Sequence, residues 1–135
     1  MTIKEYADSE EVKDMKIDTI KMNEFVSVQD LKAFEVYLRL LKNPYSYNME
    51  DDFVYLKHWV DLTSENFASR LKKEYPRLTD KEMNVCCLVR MNLSLQSLAD
   101  IYCISKNSVS RRKLRMKEKM ELAEETTLDE YLSLL

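Results

Sequence analysis

LTDKEMNVCCLVRMNLSLQSLADIYCISKNSVSRRKLRMKEKM, running from Leu78 to Met120, punctuates itself as three short helices. Thr79-x-x-Glu82 is a capping box, in which each side chain satisfies the other residue's free backbone donor. The helix it opens is expected to bury Met83, Cys86, Cys87 and either Val89 or the stem of Arg90, and to end near Met91. Asn92 then falls where a left-handed turn residue is wanted, and Asn is a frequent non-glycine choice for positive φ. Ser94 opens a second helix with Leu98, Ala99 and Tyr102 inward, Ala99 being small enough for two backbones to approach there. A short turn, Tyr102-Cys103-Ile104, leads to Ser105, which caps a third helix over about 106–120. Its inward residues are expected to be Val109, Met116, Met120 and either Leu114 or the stem of Arg112.

The cations fall on the remaining surface of that third helix. Residues 105–120 carry seven (Lys106, Arg111, Arg112, Lys113, Arg115, Lys117, Lys119) against one acid, Glu118. The whole chain has a net charge of -3, but the charge is segregated. Residues 79–120 hold nine basic and four acidic side chains, whereas residues 121–135 hold five acids and no base. Phosphates sense the field within a Debye length of about 8–10 Å, so an acidic pI does not exclude nucleic acid.

The rest of the chain also reads as helix. There is no glycine and only two prolines, Pro44 and Pro76, in 135 residues, so tight hairpins lack their usual turn residues. Apolar residues recur at helical spacing over 3–42, through Ile17 and Ile20 and then Leu31, Phe34, Leu38 and Leu41, a heptad-like seam compatible with a coiled coil. A break is expected between Asn23 and Gln29, with Ser27 capping a helix that begins at Val28. Pro44 disfavours helix at Asn43. Asn48 suits an N-cap, with Glu50, Asp51 and Asp52 in the first turn where the helix dipole favours acids. Phe53, Leu56, Val60, Phe67 and Leu71 continue one face to Tyr75, predicting about 25 residues of helix bent at Thr63–Ser64.

Several functions are disfavoured. The three cysteines have no metal-ligand spacing and read as buried small side chains of a reducing compartment. There is no glycine-rich phosphate loop, no paired histidine and no nucleophile beside a base, so the chain is expected not to be an enzyme, with no cofactor, no metal and no small-molecule substrate. His58 is expected to be an ordinary helix residue. No apolar run reaches about 18 residues and the N-terminus is too acidic for a signal peptide. The expected location is cytoplasmic, either as a complete protein or as the soluble C-terminal part of a larger, membrane-anchored one.

From Leu78 to Met120 the order of features resembles the helix-turn-helix DNA-binding domain of LuxR/GerE-type transcriptional regulators: Leu78-Thr79, Glu82, Leu88, Asn92-Leu93-Ser94, Leu98-Ala99, Ile104-Ser105, Val109 and a basic tail. Thr127-Leu128-Asp129-Glu130-Tyr131-Leu132 follows as a second capping box and is similar to that family's fourth helix. From Phe67 onward, including Arg70-Leu71, Tyr75-Pro76, Leu78-Thr79, Glu82 and Cys86, the chain is similar to the C-terminal segment of Bacteroidetes regulators. The family's usual turn glycine is Asn92 here, and residues 1–66 show neither a receiver domain nor a tetratricopeptide period.

The resulting expectation is an all-α protein: residues 1–75 a helical dimerisation or signal region, residues 76–135 a four-helix LuxR-like helix-turn-helix domain of the winged-helix-like superfamily. A helix fits the major groove, about 12 Å wide, with its N-terminal residues nearest the bases. The third helix then presents Lys106, Asn107, Ser110, Arg111 and Lys113 or Arg115 to duplex DNA, with Arg111 and Asn107 as base readers. Ser94 and Gln96 are expected to contact the DNA backbone, since a helix N-terminus favours phosphate. A homodimer is expected through the N-terminal helices and/or residues 127–135, the resemblance implying the latter because the family's fourth helix tends to form the dimer contact. The alternatives are a protein-interaction module with a degenerate helix-turn-helix, and a domain like region four of a sigma factor, whose partner is RNA polymerase.

Overall fold

The computed structural model describes residues 27–135, and every regular element among them is helical. Seven α-helices follow in order: α1 (Val28–Lys42), α2 (Met49–Thr63), α3 (Phe67–Glu74), α4 (Asp80–Arg90), α5 (Leu95–Tyr102), α6 (Lys106–Lys119) and α7 (Leu128–Leu134). A 3-10 turn, Pro44–Ser46, joins α1 to α2. The expected seam through Ile17 and Ile20 lies outside the described residues.

Local cap chemistry places most helix starts. Ser27 and Asp30 form a full capping box at α1, and Thr79 and Glu82 form another at α4. Single side-chain caps open α2 (Asn48), α5 (Ser94), α6 (Ser105) and α7 (Thr127). Each such cap satisfies an otherwise orphaned backbone N–H and is worth about 1 kcal/mol. Asn92 has φ 62°, as its place between α4 and α5 requires.

The expected long helix from Asn48 to Tyr75 is two helices. Glu65 and Asn66 both take left-handed backbone angles, φ 51° and 61°, which interrupt α-helical hydrogen bonding. Asn66 makes no side-chain cap to α3. Asp61 supplies it from the preceding helix, accepting from the Ala68 N–H at 2.7 Å, the Ser69 N–H at 3.2 Å and the Ser69 hydroxyl at 2.7 Å. At the other end of α3, the Lys72 ammonium donates to the carbonyls of Pro76 and Leu78.

Helices α1 and α2 form an antiparallel hairpin. The pairing is visible in its cross-links: Asp30 with His58, Phe34 against Trp59 at 5.1 Å, and Arg39 to Asp52 at 2.6 Å. The seam of α1 is therefore used within the chain, Phe34 and Leu38 burying themselves with Ala33 against Trp59. Asp52 is buried because it also accepts from the Asn48 N–H at 2.9 Å.

A larger core runs from Leu40 and Tyr47 through Phe53, Leu56, Phe67 and Leu71 to Leu88, Leu98, Met116 and Leu132. It crosses the Tyr75–Pro76 position without a break, so the hairpin and the C-terminal helices share one apolar interior. Burial of each large apolar side chain contributes ~1.5–3 kcal/mol. Cys86 and Cys87 lie wholly inside it, and burial pushes the Cys86 thiol up to about 12. No helix among the described residues is long and apolar enough to cross a membrane.

Candidate nucleic-acid interface

Helix α6 lies between two supports. Residues 109, 113, 116 and 120 give an inward or half-inward stripe, with Val109, Met116 and Met120 buried. On one flank Lys119 pairs with Glu82 of α4 at 2.6 Å, and on the other Lys113 pairs with Asp129 of α7 at 3.0 Å. Lys117 donates to the Glu124 carbonyl. Burial raises the Glu82 carboxyl, but the Lys119 ammonium and both bonds with Thr79 outweigh it and hold it below the usual carboxylate range.

The face away from these supports carries Lys106, Asn107, Ser110, Arg111 and Arg115, all exposed. Ser94 and Gln96 are exposed at the start of α5. Both have local duties: the Ser94 hydroxyl caps the Ser97 N–H at 3.0 Å, and the Gln96 amide donates to Asp100 at 2.8 Å. Lys113 differs from the reading that turned it outward. Its side chain is only 17% exposed and its ammonium is held by Asp129.

Leu114 is 59% exposed and stands on the outward face, so it is not the core residue. Arg112 takes the half-inward place instead, its guanidinium 5.1 Å from the Tyr102 ring centroid. The spacing 109, 112, 116, 120 is the truer helical stripe and could have chosen between the two. Glu118 is also exposed, so the cationic part of the outward face is concentrated toward the N-terminal half of α6.

One group of residues went unrecognised in the sequence. Asn84, wholly buried in the middle of α4, accepts a hydrogen bond from the Tyr47 hydroxyl and donates one to the Tyr102 oxygen at 2.6 Å. Burial raises both phenols, Tyr102 to about 12, so each stays protonated at neutral pH. A polar residue inside the otherwise apolar run Met83–Val89 was the available signal. Nearby, the exposed Tyr45 hydroxyl donates to Asp100 of α5 at 3.1 Å, and that carboxylate holds the phenol above its usual range.

No family model matches the chain, and no curated protein or solved structure matches it either.

Proposed function

We propose that the chain is a transcription regulator that binds duplex DNA sequence-specifically, laying the N-terminal half of α6 in the major groove. The observation that carries this reading is the outward face of α6. Lys106, Asn107, Ser110, Arg111 and Arg115 stand together on solvent while the helix is braced on both flanks by α4 and α7. A helix already braced by its neighbours needs little further ordering of its backbone when its cations meet phosphates. Arg111 suits bidentate contact with guanine and Asn107 with adenine, while Lys106, Ser110 and Arg115 suit backbone contacts. Ser94 and Gln96, at the N-terminus of α5, suit a neighbouring phosphate. The likeness of residues 78–120 to LuxR/GerE-type domains supports the same docking and a homodimer.

The test is selection of bound duplexes from a random pool, followed by affinity measurements over a range of salt. Each phosphate contact contributes about 0.9 to the log–log salt slope. Arg111→Ala should cost about 1–3 kcal/mol on the selected sequence and much less on random duplex. Failure to enrich any sequence, with no salt-dependent binding, would refute the reading. Leu114 and Glu118 on the outward face favour, as a second reading, a protein-interaction module, which predicts self-association or partner capture without duplex affinity.

A further inference from the structure

The loop between α1 and α2 touches the helix-turn-helix frame at two depths. Outside, Tyr45 bonds Asp100, which also receives the Gln96 amide. Inside, Tyr47 bonds Asn84, Asn84 bonds Tyr102, and the Tyr102 ring seats the guanidinium of Arg112. Arg112 in turn borders the groove between the start of α4 and α6, where Lys81 and Arg115 are its basic neighbours. The one acid on that groove, Glu82, is already engaged by Lys119 and Thr79.

We infer that Arg112 is a further phosphate contact of α6, and that Tyr47 and Asn84 set its aim through Tyr102. This inference rests on the duplex-binding reading for its functional part. Its physical basis is that a buried amide can satisfy two hydroxyls at once. With either orientation of the Asn84 amide the chain of bonds closes, because each phenol can donate or accept. Accepting at one end strengthens donation at the other, so the chain acts as a unit. A hydrogen bond to the Tyr102 oxygen holds the far end of the ring in place, and the ring face is what holds a guanidinium by cation–π attraction. An arginine held by an aromatic seat loses less side-chain freedom when it meets a phosphate. Tyr47 belongs to the loop of the N-terminal hairpin, so that hairpin reaches the basic helix without itself facing DNA.

Two measurements on the full chain test this, with wild type, Tyr47→Phe, Arg112→Ala and the double variant. The first needs no DNA. The Nε–Hε resonance of Arg112, identified by its loss in Arg112→Ala, is shifted by the Tyr102 ring current and should move in Tyr47→Phe. An unmoved resonance in Tyr47→Phe, alongside a moved one in Tyr102→Leu, overturns the inference. The second is affinity for the selected duplex. Arg112→Ala should lower the salt slope by about 0.9. Tyr47→Phe should keep the slope and weaken binding roughly three- to tenfold in the wild-type background, but less than about twofold in Arg112→Ala. Equal losses in both backgrounds overturn the coupling. If Tyr47→Phe does not fold, Tyr102→Phe keeps the ring, removes the adjoining Asn84–Tyr102 link of the same chain of bonds and is read in the same way. If wild type binds no duplex, the functional reading fails and the phosphate role with it, while the resonance test still decides whether Tyr47 positions Arg112.

Discussion

Replacing Asn84 by leucine keeps the number and branching of the side-chain heavy atoms inside α4 while deleting both of its hydrogen bonds. The cost then comes from the phenols left behind rather than from a cavity. Tyr47 is 8% exposed and loses its hydrogen-bond partner in the core, Asn84, whereas Tyr102 is half-buried and partly reached by water. A buried hydroxyl left unsatisfied costs about 1–3 kcal/mol, and a half-wet one falls at the low end of that range. The expected destabilisation is therefore about 2–4 kcal/mol, a large share of the ~5–15 kcal/mol that a folded domain has. Urea denaturation followed by circular dichroism reads it as a lower midpoint at constant slope. The same logic predicts a partial rescue: adding Tyr47→Phe to Asn84→Leu should restore about 1 kcal/mol, because it removes the orphaned hydroxyl. A loss below about 0.5 kcal/mol, or a double variant no more stable than Asn84→Leu alone, would refute the assignment of this amide as a buried bridge.

Acid should weaken the fold through two carboxylates. Burial raises Asp30, but its contacts with His58 and Ser27 outweigh it, and Glu82 is likewise held low by Lys119 and Thr79. Both folded values lie below the unfolded ones, so their stabilisation is complete above about pH 4 and is lost as pH falls through the folded values. Urea midpoints across that range should fall, and Glu82→Gln should flatten part of the decline. Cys103 closes α5 at φ 54°, a conformation that costs a side chain with a Cβ about 1 kcal/mol, so Cys103→Gly should raise stability by about 0.5–1 kcal/mol in thermal melts.

Most helix starts were legible because a cap is local: Ser27, Asn48, Thr79, Ser94, Ser105 and Thr127 each bond a backbone N–H two or three residues on. The turn at Asn92 was legible for the same reason. The break between α2 and α3 was not, since its cap comes from Asp61, seven residues before Ala68 and on another helix. The exposed part of the basic face followed from spacing alone. What spacing could not show was which cation is taken by another element, as Lys113 is by Asp129, because that depends on where α7 folds back. The bridge at Asn84 was hidden likewise, its two partners lying 37 and 18 residues away.

The five left-handed positions among the described residues, Glu65, Asn66, Asn92, Cys103 and Glu121, lie at helix junctions in a chain that has no glycine anywhere. Each such residue holds its junction at an energetic disadvantage, yet every one also narrows the wandering of the unfolded polymer, which glycine would widen. The corners of this protein are thus stiff in both states, so the relative angles of its short rods resist drift, and a mutation to glycine at any corner would trade angular fidelity for ease of bending.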